Sequence, residues 1–217
     1  MRLMNIIKSI LGRAEYIEAI ADKTSNTNIH DGYAGGSLSN DNLLIITNTE
    51  LPAEVVKDVF LKEKTYFSVM SVKHLLHVED IFDAGNELIG PFTHIINFFY
   101  DNEEMSLISK DELYNDKDSI YQFYQWHQEE VDYLVKLNQY ATICSVFLSG
   151  HSIDNSVKKK NVEMCIRGLA EVLANHGIIC NGIIASKDDI LKELLNTTVF
   201  LSSRYGQIMT GEVLKID

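Results

Sequence analysis

From Leu43 onward the chain alternates short, continuously apolar runs with longer stretches whose apolar residues recur every three or four positions. No other feature restricts the fold as much. The short runs are Leu43–Thr47 (LLIIT), Thr65–Ser71 (TYFSVMS), Phe92–Phe99 (FTHIINFF), Ala141–Leu148 (ATICSVFL), Ile178–Ala185 and Glu212–Ile216. A strand that is apolar at every position must be covered on both faces, which is the condition of a parallel strand flanked by helices. The intervening stretches have helical spacing. They are Ala53–Leu61 (opened by Pro52), Val72–Gly90, Ile120–Leu137, Lys160–His176 (closed by Gly177), Lys187–Leu195 and Thr197–Arg204. Proline suits a first helical turn and glycine suits the position after a last one. Strand and helix in strict alternation predict right-handed βαβ units and a three-layer, Rossmann-like, doubly wound parallel sheet.

The first 41 residues stand outside that rhythm. Residues 1–23 place Ile6, Ile7, Ile10, Leu11, Ile17 and Ile20 on or near one face and are expected to form an extra amphipathic N-terminal helix. Residues 24–42 are rich in Gly, Ser, Asn and Asp and read as a loop, Gly32, Gly35 and Gly36 included. The expected organisation is an extension over 1–41 followed by one α/β domain over 42–217, interrupted by an acidic surface excursion at 101–118.

A formal net charge of −12 argues against nucleic acid or an anionic membrane as partner, since both need clustered Lys and Arg. Lys158, Lys159 and Lys160 form one short basic run. No stretch approaches the roughly 20 apolar residues that span a bilayer, and Lys8, Arg13 and Glu15 interrupt the apolar start. Cys144, Cys165 and Cys180 lie in apolar contexts without a CxxC or Cys/His cluster, so no metal site is expected and a reducing cytoplasm suits the chain. The aromatic stretch Tyr121–Glu130 (YQFYQWHQEE) reads as a packed helix face, part of which, Tyr124 and Trp126 in particular, is a candidate partner surface.

Two segments add a resemblance. Lys159–Ala185 (KKNVEMCIRGLAEVLANHGIICNGIIA) is similar to the active-site helix and following strand of the short-chain dehydrogenase/reductase family, and TTVFLSSRYGQIMTGEVLKID resembles that family's last helix, turn and strand. The likeness is closest over 161–217, looser over 43–149 and does not include 1–41. It implies a Rossmann-like fold, a nicotinamide dinucleotide as the family's cofactor and dimerisation through two helices, here 120–137 and 160–176, with Val162 and Arg167 as candidate interface residues.

The family's chemistry also implies a Gly-rich turn, a tyrosine, a lysine four residues on and a serine, and this chain departs from that pattern. The Gly-rich turn after the first strand is replaced by Asn48, Thr49, Glu50, Leu51 and Pro52. Side chains there hinder close approach of a pyrophosphate, and Glu50 and Glu54 bring negative charge to it. Lys159 stands at the position of the family's lysine, but the tyrosine four residues earlier is Asn155, an amide that cannot act as an acid or base near neutral pH. Ser149 is the counterpart of the family's serine, at a shorter spacing. The Asn-Asn-Ala-Gly turn becomes Asn97-Phe98-Phe99-Tyr100, whose rings are expected to fill the adenosine path. The substrate flap after Ala185-Ser186 is missing or very short. His151 is a possible substitute acid/base, although a loop histidine of this kind is more simply solvated.

The expected function is therefore a catalytically inactive short-chain-dehydrogenase-like subunit that binds no cofactor and assembles with itself or with an active relative. The alternatives are a divergent NAD(P)-dependent oxidoreductase and a small-molecule-binding module that uses the vacated crevice.

Overall fold

The computed structural model of the chain describes residues 15–19, 38, 41–49, 51–71, 77–101, 119–137, 139–149, 155–186, 191–203 and 205–216. They form one seven-stranded sheet: β1 (Glu15–Ala19), β2 (Asn42–Thr47), β3 (Tyr66–Ser71), β4 (His94–Asp101), β5 (Thr142–Ser149), β6 (Ile179–Ala185) and β7 (Val213–Ile216). Five helices connect them: α1 (Ala53–Phe60), α2 (Val78–Ile89), α3 (Ser119–Leu137), α4 (Asn155–Ala174) and α5 (Leu191–Ser202), with a 3-10 turn at Gly206–Ile208. The strand order is β1-β3-β2-β4-β5-β6-β7. Every neighbouring pair from β3 to β7 is parallel, and β1 is antiparallel to β3 with Ile17 opposite Val69.

The alternation along each strand sorts the core into two layers. On β4, Ile95 and Phe99 face one way with Ile143, Phe147, Cys180 and Ile184, under α2, α3 and α4. Ile96 and Phe98 face the other way with Cys144, Val146 and Ile183, under α1 and α5. Side chains alternate across a strand, so an all-apolar run feeds both layers equally. The three-layer, doubly wound reading of the sequence holds.

Several boundaries differ from the sequence reading. Of the helix expected over 1–23, only Glu15–Ala19 lies among the described residues, and it is an edge strand. Five residues can extend as easily as coil when an open sheet edge offers backbone partners. Residues 102–118, most of 24–40 and residues 72–76 lie outside the described residues. Asn97 to Tyr100 is no turn: β4 runs through it to Asp101. Helix α4 begins at Asn155, five residues before the expected Lys160, so Asn155, Lys158 and Lys159 share its first turns. The two short helices expected near the C-terminus are one, α5. Gly177, at φ 70°, ends the turn after α4 as expected.

One rung across the middle of the sheet is not apolar. Asn97 on β4 is opposite Ser145 on β5, and Ser145 is opposite Gly182 on β6. Glycine is required at the end of this rung. A Cβ on Gly182 would lie 2.4 Å from Cδ1 of buried Ile166 on α4 and 3.1 Å from the Ser145 carbonyl oxygen. Gly182→Ala is expected to destabilise the fold by about 1–3 kcal/mol through overpacking. Gly168→Ala, on the open side of α4 with nothing within 4 Å of the added Cβ, is expected to stabilise it by roughly 0.5–1 kcal/mol. Urea melts of the two variants measure both, and equal effects would contradict this packing.

Candidate functional site

In a doubly wound sheet, ligands bind beyond the carboxyl ends of the strands where the winding reverses. Here that point lies between β2 and β4, and the side chain of Asn48 spans it. Asn48 Nδ2 donates to the Tyr100 carbonyl (3.0 Å), and the Tyr100 N–H donates to Asn48 Oδ1 (2.8 Å). One amide thus pairs with both backbone groups of Tyr100, as a strand neighbour would. The Thr49 N–H donates to Thr47 Oγ1 (3.1 Å), and the Thr47 hydroxyl donates back to the Thr49 carbonyl (3.0 Å). The turn therefore closes on itself. Glu50 lies outside the described residues. Leu51 is buried in the layer under α1, and Pro52 (φ −59°) caps α1, its carbonyl accepting from Val55 and Val56.

A dinucleotide site of this fold needs backbone N–H groups aimed outward and room for a pyrophosphate against them. Asn48 occupies the gap, and the Thr49 N–H already has an acceptor. These residues do not fit a pyrophosphate.

Among the described residues, the side chains along the rest of the carboxyl edge have internal partners. Ser149, the last residue of β5, is buried and donates to the Ala185 carbonyl (3.2 Å). Lys159 Nζ donates to Ser186 Oγ (2.5 Å). Lys158 Nζ reaches Asp101 Oδ2 at 3.0 Å, tying α4 to the end of β4. Asn155 is the first residue of α4, one turn before Lys159, and His151 lies outside the described residues. Phe98 and Phe99 are core side chains within β4, one in each layer, so they do not fill an adenosine path beyond the strand ends.

The four expected interface residues separate. Val162 is fully buried in the chain's own core and Trp126 nearly so. Periodicity marks an apolar stripe without saying which side of a helix it faces. Tyr124 is half-buried against the core. Arg167 is on the surface, where its Nε donates to Glu163 (3.3 Å) and its guanidinium to the Gly211 carbonyl (3.1 Å). Lys160 and Lys215 also pair with Glu163, at 3.2 and 2.8 Å, and hold its carboxyl down at about 2. The exposed apolar residues of α4 are Val157, Met164 and Val172, at one-turn multiples on one side.

Sequence reasoning missed a second polar centre, in the interior. Trp126 Nε1 donates to Asn97 Oδ1 (2.9 Å), and Asn97 Nδ2 donates to both carboxyl oxygens of Glu130 (3.0 and 2.9 Å). His127 Nδ1 is 2.7 Å from the Phe123 carbonyl, and its Nε2 is 2.6 Å from Ser145 Oγ. A carbonyl only accepts, so Nδ1 carries the imidazole proton and Ser145 donates to Nε2. Phe99 and Phe123 cover the imidazole, the latter with ring centroids 4.1 Å apart. Two titratable residues at i and i+3 on an aromatic helix face were the available signal.

Burial sets both protonation states. Desolvation pushes the Glu130 carboxyl from 4.5 up to about 8, opposed by the Asn97 amide. It drives His127 from 6.5 down to about 4, opposed by the Phe123 carbonyl. Both are thus held neutral at pH 7. A raised acid contributes stability that is complete below 4.5 and is lost as pH rises towards 8. A depressed base contributes stability that is complete above 6.5 and is lost as pH falls towards 4. Between 4.5 and 6.5 the two trends oppose each other. Stability measured by urea melts is expected to fall between pH 6.5 and 8, where Glu130 acts without an opposing histidine, and to fall again below 4.5. A monotonic rise from pH 5 to 8 would contradict it.

The sequence matches no protein-family model, and no curated protein matches it. Solved structures do match. A double mutant of a Serratia marcescens short-chain dehydrogenase/reductase aligns over 83% of this chain and 97% of its own, with a TM-score of 0.57 at 11% identity. A Mycobacterium smegmatis short chain dehydrogenase aligns over 84% and 94%, with a TM-score of 0.55 at 14% identity. A short-chain dehydrogenase from Oenococcus oeni aligns over 87% and 98%, with a TM-score of 0.50 at 14% identity. The chain thus carries the Rossmann-like fold of the short-chain dehydrogenases/reductases.

Proposed function

We propose that this protein is a short-chain-dehydrogenase-like subunit without catalytic activity, acting through assembly with a second copy of itself or with an active relative. The observation that carries the reading is the Asn48 amide lodged across the switch point and paired with both backbone groups of Tyr100. A working member of the fold needs that gap for a pyrophosphate. Opening it here means giving up both of these part-buried hydrogen bonds, at about 0.5–1.5 kcal/mol each.

Asn155 in place of a tyrosine removes the acid/base, and Lys159 is engaged by Ser186. The surface side of α4 supplies a means of assembly. Val157, Met164 and Val172 are each more than half exposed, and Gly168 between them lets another backbone approach closely. Assembly through this helix is carried over from the resemblance.

Two experiments test the two halves. In a thermal melt, saturating NADH or NADPH is expected to leave the transition unmoved. A ligand at 100 times its dissociation constant would instead add roughly 2.7 kcal/mol. Asn155→Tyr is expected to show no NAD(P)H turnover, and turnover would mean that the Asn48 turn admits cofactor. Light scattering of the wild type is expected to give more than one subunit. Met164→Glu, at a position outside the core, is expected to halve the mass. A monomeric wild type, or an unchanged mass in the variant, rules out assembly through α4.

A further inference from the structure

We propose that the interior cluster under α3 is a protonation-controlled latch: while Glu130 carries its proton α3 stays seated on β4 and β5, and losing that proton releases the helix from the sheet. The hydrogen-bond directions fix how the Asn97 amide lies. Trp126 Nε1 is only a donor, so Asn97 must present its oxygen there and its NH2 to Glu130. His127 Nε2 accepts from Ser145 and has no proton for Glu130 Oε2, 3.9 Å away. Glu130 therefore receives the Asn97 NH2 group alone.

The titratable groups near Glu130 are His127 on its own helix and the Cys180 thiol on β6, with the thiols of Cys144 on β5 and Cys165 on α4 acting on Cys180 in turn. Strands β4 and β5 present Asn97 and Ser145, which do not titrate. Among the described residues no lysine or arginine pairs with Glu130, whose exposure is 0%. An ionised carboxylate in such a place is costly unless it is paired. Water reaches it when α3 lifts, because Trp126, His127 and Glu130 all belong to α3 while Asn97 and Ser145 belong to the sheet. The latch operates whether or not the chain assembles through α4.

The test is amide hydrogen exchange read by mass spectrometry, corrected for intrinsic rates, at pH 6.5 and 8.0. One proton released on opening increases the opening constant tenfold per pH unit. With half of the seated Glu130 already ionised at pH 8.0, peptides covering 119–137 of the wild type are therefore expected to open about fifteenfold more there, while those of β5 and β6 change little. In Glu130→Gln, which keeps a neutral side chain of the same shape, the increase is expected to vanish.

An unchanged opening constant in the wild type overturns the proposal, as does the same increase in Glu130→Gln or an equal increase in the β5 peptides. Infrared spectroscopy of the wild type needs no variant. The carbonyl band of a protonated carboxylic acid is expected to persist at pH 7, and its absence would equally overturn the latch.

Discussion

A parallel sheet covered on both faces offers no water to any polar group within it, and this constraint organises the rest of the molecule. The backbone groups satisfy one another along the ladders. The side chains are apolar through most of the length of β2, β4, β5 and β6. Two of the buried exceptions, Asn97 and Ser145, take partners from a helix. Helix α3 supplies an indole, an imidazole and a carboxyl group drawn from five consecutive residues. An orphaned polar group here costs more than a formed hydrogen bond contributes, so the cluster fixes how α3 sits as firmly as the surrounding Phe99, Phe123 and Phe147 rings do.

The same requirement acts at the carboxyl edge. In a nucleotide-binding relative of this fold, backbone groups at the switch point are left for the ligand. Here side chains close the carboxyl edge internally: Asn48 pairs with the Tyr100 backbone at the switch point, Thr47 with the Thr49 backbone, Ser149 with the Ala185 carbonyl, Lys159 with Ser186 and Lys158 with Asp101. None of these pairings is unusual alone. Together they fasten the ends of β2, β4, β5 and β6.

The amino edge has a counterpart. His94 is buried between the Asp41 carboxylate at 3.1 Å and the Thr142 hydroxyl, linking the starts of β2, β4 and β5. Burial lowers the His94 pKa, and Asp41 opposes the shift. Both ends of the central strands are thus fastened by polar side chains, while Met164 and Val172 are exposed on the outer side of α4.

The sequence alone determined the α/β class, the parallel sheet and most of its elements, because burial on both faces forces a run such as Leu43–Thr47 to be apolar throughout and that signal is local. It also determined that no glycine stands between Thr47 and Ala53, since identity needs no coordinates. It could not tell that Val162 and Trp126 face inward, because an apolar stripe has the same period whichever neighbour covers it. Nor could it assemble Asn97, His127, Glu130 and Ser145, which come from two strands and a helix. Their contact, the neutrality of the acid and base, and the bridging of Asn48 to Tyr100 follow from register and crossover, which only the tertiary structure decides.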